Sequence, residues 1–569
     1  MNVVRGLRFV AAWLALGLAL GTGLSACGGG GSGTGSGATL QTGSDATHGA
    51  LTLGLSGGAQ REVDHVWVTI GSVALHSSAT QAWSSSDRSW VVLTLSTPVV
   101  VDLAQATRAG SSQSDISRVL DGVSVLQGSY AQMRLFPLAH DAALADVASK
   151  AGLSYNAQVR YTDTILGVVN VPLELPQPEQ GWRVEAPLGI VAGQSSYLVL
   201  QTDVQHNLVR LASNDGHAHF SWRSQMSSMD LSSSSAIFGY IDPAKLCGGA
   251  SALPSPDCAS NVIVSAQGLS ADGSRYENVR QTLVDTSGGF ALYPLPPASQ
   301  FDVVISGRHM QTMVIRGVTV SAFNALATLD WTALGSTSAP LTPVITPGTE
   351  RSVTLAAGVS PGSGALRFGQ TLSSVVGDKP REVAVQQRDP IMGRLARALV
   401  LPEGPLSVAP FVSSGAALAF SNEVPLEGPQ AFRAQAFGRS LDDPGAGVVV
   451  APPLAVQNSA ITVPNPSLAS GVATGQVQLT LTGALSSTYD QAVVVVSDVD
   501  GVVQTQSVSA AGVVSLTVPA GPNAAAHGGA LYSVAVRASG AAGALRWVRA
   551  ATLVDLRGGS SVSLSLALP

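Results

Sequence analysis

The sequence predicts an all-β fold, a multi-domain string of antiparallel β-sandwiches that follows an N-terminal signal and a Gly/Ser tether. Three observations predict it. Short alternations of apolar and polar residues recur along the chain between Gly, Pro, Asp and Ser, the pattern of half-buried strands bounded by turns. Long stretches of helical periodicity are scarce. The chain has 569 residues, too many for one sandwich, so several domains are expected. Charged residues make up 12% of it and the formal net charge is −6, with no basic cluster, which argues against nucleic acid as a partner. After residue 27 no apolar run reaches membrane-spanning length.

Arg5 and Arg8 precede an apolar run, Phe9 to Leu20, that is too short to span a bilayer and has the form of a secretion signal. Leu24-Ser25-Ala26-Cys27 resembles the bacterial lipoprotein box, Leu-small-small-Cys. The resemblance implies that 1–26 is removed and that Cys27 carries the lipid. A buried methylene contributes roughly 0.8 kcal/mol and one acyl chain holds only marginally, so several chains are needed for firm anchorage. Residues 27–48 then hold the lipidated Cys and a flexible linker, since Gly28 to Ser44 cannot bury a core. A coil of about 20 such residues has a root-mean-square reach of roughly 25 Å, enough to clear the headgroups. Gly28 stands where an Asp resembles the inner-membrane retention signal, which favours the outer membrane and leaves the leaflet open.

The first folded unit is expected over 49–234. Val66, Val68 and Ile70 alternate with Trp67 and Thr69, a strand with one buried face. Trp90–Leu95, Val99–Leu103, Tyr130–Leu135, Tyr197–Asp203 and His217–Trp222 read as further strands, with Met133 and Leu135 inward. Asp141 to Lys150 reads as a short helix N-capped by Asp141 and ended by Gly152. The blocks "VDHVWVTIGSVALH" (63–76), "VVVDL" (99–103), "GSYAQMRLF" (128–136), "VPLELP" (171–176) and "LVLQTDVQHNLVR" (198–210) resemble the bacterial domain of unknown function 4382. Asp203 matches an Asp of that family's last block, and Thr202 stands where the family prefers Phe. Members are commonly lipoproteins followed by small sandwiches and have no established activity, so the resemblance implies architecture and location.

The second unit is expected over 235–334. "AIFGYID", "NVIVSAQ" (261–267), "LVDTSGGFALYPLPP" (283–297) and "QFDVVISG" (300–307) read as strands and turns. Asp285, Gly288, Phe290, Leu292, Leu295, Pro296 and Pro297 resemble the strand–turn–strand motif of carboxypeptidase regulatory-like, or transthyretin-like, domains. Ala298 stands where that family carries Gly. Asp285 is expected to cap the turn and Gly288 to take positive φ. Residues 335–350, with the Pro340–Thr349 stretch, read as a linker. Residues 351–460 read as a second transthyretin-like sandwich and 461–569 as a C-terminal sandwich of seven short strands, Ig-like in number and spacing.

Chemistry-bearing residues are few. Cys247 and Cys258 remain once Cys27 is assigned to lipid, and in an oxidising compartment they form the expected disulfide, worth about 3 kcal/mol in the loop-entropy model. Two cysteines without nearby histidines make a poor metal site. His217 and His219, two apart on a strand with Asp215 nearby, could share a metal. The Asn214-Asp215-Gly216 turn and a core-facing Phe220 and Trp222 make them solvated sheet residues instead. No nucleophile elbow, phosphate loop or metalloprotease helix occurs, and no cofactor is implied. Trp83, Trp182 and Asp203 are the candidate ligand-facing residues, while Trp67 and Trp90 read as core.

The expectation is a non-enzymatic, lipid-anchored envelope protein with polysaccharide or envelope-protein partners. The alternative is an envelope hydrolase with a site built around Asp203, Asp215, His217 or His219. Convergence of those groups in one cleft would favour the enzyme.

Overall fold

A computed structural model describes residues 40–58, 63–104, 116–163, 165–211, 218–246, 262–270, 272–307, 310–322, 331–346, 350–355, 364–388, 399–400, 404–428, 432–437, 454–456, 460–463, 473–498, 501–521, 530–540, 544–559 and 561–569. Cys27, Asp215, His217, Cys247 and Cys258 lie outside the described residues. The molecule is a multi-domain assembly of β-sandwiches, with strand far exceeding helix among the described residues.

In the first sandwich a four-stranded sheet, Ser227–Asp230, Ser195–Gln201, His48–Ser56 and Ile116–Leu126, faces a much longer sheet. The strand His65–His76 shows how sequence shapes it. Val66, Val68 and Ile70 are fully buried, and beyond Gly71 the inward phase switches to Val73 and Leu75. The ladders to both Val91–Asp102 and Gly128–Pro137 slip between Ile70 and Ser72. A bulge at a glycine is what keeps both halves of this strand facing one core. Met133 and Leu135 join that core, whereas Trp90, also buried, packs outside it on His76 at 4.8 Å, and Trp67 is half-buried and stacked on His65 at 4.4 Å. The expected helix is shorter than predicted: it spans Asp146–Lys150 after Ala145, and Asp141 pairs instead with Arg549 at 3.4 Å.

The chain joins this sandwich at one end. Leu40 packs on the core, Thr42 bridges Val123, and His48 pairs with Leu126. From there His48–Ser56 and Ser195–Gln201 run in parallel to the other end, where Ser56 lies opposite Gln201. A strand of that length separates the two ends by about 25 Å.

In the second sandwich Gly289–Leu295, Ser235–Tyr240 and Thr332–Leu334 face a six-stranded sheet. Asp285 caps its turn as expected, accepting from Ser287 N and Gly289 N at 2.8 Å each. Gly288 has φ +89°, and a Cβ there would stand 1.9 Å from the Ile241 carbonyl oxygen. The stretch after 335 is not a linker: Leu341 is buried in this core, bridges Ile241, and is followed by a bridge from Ile345 to Met310.

The described residues of 351–460 do not close into a sandwich of their own. Leu406–Pro410 and Ser421–Glu423 extend the second unit's six-stranded sheet, with Leu406–Pro410 parallel to Met313–Thr319. Gly364–Gln370, Arg381–Arg388, Phe432–Phe437 and Leu454–Val456 extend the first unit's long sheet, joined by an Arg210–Arg388 pairing. The remaining strands, Glu350–Leu355, Leu399–Val400 and Ala460–Val463, form a small sheet. The cause is the doubly apolar second-unit sheet. Ile305 and Ile315 face its sandwich core, whereas Ile263, Val314 and Val408 face outward and need cover.

The C-terminal unit packs Gly512–Pro519, Thr474–Thr482 and Val562–Ala567 against a five-stranded sheet centred on Gln491–Asp498. Ala492, Val494 and Val496 fill that core, while Val493 and Val495 meet Val209 and Leu211 of the first unit.

Candidate functional site

At the end of the first sandwich opposite the incoming chain, Asp203 caps a single helical turn, Val204–Asn207. Its Oδ1 accepts from Gln205 N at 2.8 Å and His206 N at 3.4 Å. Asn207 ties this turn to the segment after Trp222, its Nδ2 donating to the Gln225 carbonyl at 3.1 Å and its Oδ1 accepting from Gln225 N at 3.0 Å. Across from them runs Tyr276–Leu283 of the second sandwich, with Gln281 Nε2 donating to Asp203 Oδ1 at 2.8 Å. Between the two lies a cleft of about 640 Å3, lined by amides and hydroxyls, with Arg183 and Arg280 set among Glu185, Glu277 and Asp203.

Behind the cleft three parts of the chain meet at Glu382. His206 Nε2 stands 3.0 Å from Glu382 Oε1, and its Nδ1 stands 3.5 Å from Asp203 Oδ2. Asn278 Nδ2 donates to Glu382 Oε1 at 2.8 Å, and Arg367 Nε lies 3.3 Å from Oε2. Burial alone would raise the Glu382 carboxyl. The imidazolium of His206, its hydrogen bond and the Arg367 guanidinium outweigh burial and hold the group below its ordinary value. The Glu382 backbone is clasped as well, exchanging two hydrogen bonds with the Gln267 amide at 2.7 and 3.0 Å.

A second buried histidine lies at the contact with the C-terminal unit. His140 faces Trp547 at 6.3 Å between ring centroids. Burial and then the Arg549 guanidinium push it down to about 4, against smaller raising effects from Asp141 and a Leu173 backbone contact. Gln177 Nε2 reaches the same unit, donating to the carbonyls of Ser497 at 3.2 Å and Leu531 at 3.0 Å.

The sequence-predicted residues divide. Asp203 does line the cleft. Trp182 offers no surface to a ligand: it is 1% exposed, on the inward face of Trp182–Ile190, 6.1 Å from Trp222. Trp83 is half-buried, its ring packed on Trp90 at 5.2 Å and Phe136 at 4.6 Å. His219 is buried rather than solvated. Register explains it: His219 lies opposite Leu211 and Ser221 opposite Val209, so they share the face that the C-terminal unit covers. Phe220 and Trp222 face the first core, as expected. His219 does not line the cleft with Asp203, and among the described residues no three His, Cys, Asp or Glu side chains group as metal ligands. His206 and Glu382 were missed. Asp203-x-x-His206 was visible in the sequence, but nothing local points to a partner at 382.

Residues 48–220 match the family described as "Domain of unknown function (DUF4382)". No curated protein matches the chain. Among solved structures, the Bacillus anthracis TIE protein is similar at 8% identity, over 94% of this chain and 75% of that one, with a TM-score of 0.13. The major pilin subunit of Bacillus cereus is similar at 10% identity, over 58% of this chain and 98% of that one, with a TM-score of 0.11. A tetra-tandem repeat from the extending region of a large adhesion protein is similar at 10% identity, over 89% and 100%, with a TM-score of 0.08. Likeness at this level carries no argument about function.

Proposed function

We propose that this is a lipid-anchored protein of the cell envelope, held in the outer membrane through Cys27, that binds a partner in the cleft and performs no catalysis. The carrying observation is the state of the cleft's imidazole. Both ring nitrogens of His206 stand against carboxylate oxygens of Asp203 and Glu382, so neither is placed to take a proton from a substrate. The cleft mixes two guanidinium groups with three carboxylates among amides and hydroxyls, which suits recognition of a polar ligand of little net charge. The transthyretin-like reading of the second unit fits a role as a rigid spacer.

Anchorage at Cys27 bears on where the cleft can stand. The chain enters the sandwich at the end bearing His48 and Leu126 and the cleft lies beyond the opposite end, so tether and strand together can carry it clear of the lipid. The test is fractionation of cells carrying Cys27→Ala, with mass spectrometry of the mature N-terminus. The wild type is expected in the membrane fraction with an acylated Cys27, and the variant in the soluble fraction. An unacylated wild-type N-terminus overturns the anchor. Hydrolysis of envelope glycans or peptides that is lost in His206→Gln overturns the non-enzymatic reading.

A further inference from the structure

Aromatic residues are sparse in this chain, yet four of them gather on one face of the second sandwich. The sheet of Gly289–Leu295, Ser235–Tyr240 and Thr332–Leu334 has two faces. Ile237, Leu292 and Leu334 point into the sandwich core and are buried. The alternate residues point outward: Phe238 and Tyr240, Ala291 and Tyr293, and Ala333 with Trp331 just ahead of its strand. Ala291 is exposed, and the four aromatic residues are half-buried. The Trp331 ring stacks with Tyr293 at 6.3 Å between centroids and meets Phe238 edge-on at 6.2 Å. Register keeps the Phe238 ring open, because it lies opposite Ala291 on one side and Ala333 on the other, so only methyl groups flank it. The strand beside Trp331 is pinned. Ser414 Oγ accepts from Ala333 N at 2.9 Å and donates to the Trp331 carbonyl at 3.3 Å, and Thr332 Oγ1 donates to the Thr319 carbonyl at 2.7 Å. Rings held in place beforehand lose little freedom when a ligand arrives.

We propose that this face binds a neutral polysaccharide, with its hexose rings laid on Phe238, Tyr293 and Trp331. The site is separate from the cleft and does not depend on it. Charge and ring chemistry select the occupant. None of the six outward residues named carries a charge, which matches an uncharged ligand and offers nothing to anionic lipid headgroups. Apart from the aromatic rings they hold only alanines, so the face presents flat rings and no bulky aliphatic surface. An aromatic ring is electron-rich on its face, and the C–H bonds on one side of a pyranose bring partial positive charge against it. The tyrosine hydroxyls and the indole N–H supply hydrogen bonds to sugar hydroxyls at the rim of such a stack.

The test is native electrophoresis of the full mature chain through gels that contain dextran, a soluble mixed-linkage β-glucan or galactomannan. Retardation by at least one of the three is expected. Phe238→Ala and Trp331→Ala should each weaken binding about tenfold. Ala291→Glu keeps every ring and changes an exposed position, so it should leave the thermal unfolding midpoint unchanged and still weaken binding about tenfold, by setting a charge against the sugar. No retardation by any of the three, or equal retardation of wild type and Ala291→Glu, overturns the proposal. Retardation lost in Asp203→Asn and kept in Ala291→Glu also overturns it, because the polysaccharide then sits in the cleft. Binding to phosphatidylcholine vesicles that Ala291→Glu blocks, without retardation by any polysaccharide, overturns it in favour of a lipid surface.

Discussion

Two histidines of this molecule are almost equally buried, His206 at 5% and His140 at 7% exposure, yet they sit in opposite electrostatic settings. His206 lies between two carboxylates at the junction of the first unit with Glu382. His140 lies against Trp547, beside the Arg549 cation, at the junction with the C-terminal unit. At His140 burial and the Arg549 cation act in the same direction, burial the more strongly, whereas at Glu382 the neighbouring cations oppose burial and outweigh it.

The largest expected effect is at the charged junction. Glu382→Ala leaves His206 and Arg367 buried without their shared carboxylate and should cost about 3–5 kcal/mol, read as a lower urea midpoint. A loss below about 1 kcal/mol would show that water relaxes the site and that the network is not a stabilising contact.

Next comes acid sensitivity at the other junction. His140 titrates near 4 in the folded chain, below its ordinary 6.5, so the unfolded chain binds more protons between those values. Its contribution is full above 6.5, falls as pH drops, and amounts to about 3 kcal/mol lost by pH 4. Glu382 is held below its usual 4.5, so its contribution is present above that value and is lost only at lower pH. Acid should thus loosen the C-terminal unit before the Glu382 junction. Limited proteolysis between pH 7 and pH 4.5 should release that unit first, and His140→Gln should remove the dependence. Simultaneous release of both junctions would erase the contrast between the two histidines.

Gln177→Ala removes two hydrogen bonds to the C-terminal unit and should cost about 2 kcal/mol at that junction, visible as faster amide exchange in 491–498. The smallest effect lies apart from both. Ala298 has φ +55°, a conformation that costs a side-chain-bearing residue about 1 kcal/mol, so Ala298→Gly should raise stability by up to about that much in thermal unfolding.

Ala298 also shows what was legible in the sequence. The glycine expected there by resemblance corresponds to a real backbone requirement, as do Gly288 and the Asp285 cap. The alternation at 66–70 lies within the strand His65–His76, and the block read as a strand at 300–307 is the strand Gln300–Gly307. The sites were less legible because they depend on cover from distant parts of the chain. His219 read as solvated since no local pattern reports a unit that begins after residue 470. A signal did exist at the other side: "AVVVVS" (492–497) is apolar without alternation, the mark of a strand buried on both faces. Trp182 likewise heads an alternating inward series, Val184, Ala186, Leu188 and Ile190, and that periodicity outweighs the habit of reading a tryptophan as a surface anchor.

Residues 351–460 supply strands to two sheets begun far upstream, and this has a bearing on how the molecule can be made. A chain emerging from its N-terminus can finish neither of its first two modules until more than a hundred further residues have appeared. Until then the outward apolar face of the second unit and the Leu208–Leu211 ladder stand uncovered, an aggregation hazard during folding. The same interlacing denies these units the interchangeability of beads on a thread: neither can be excised or shuffled by recombination without taking part of the third along.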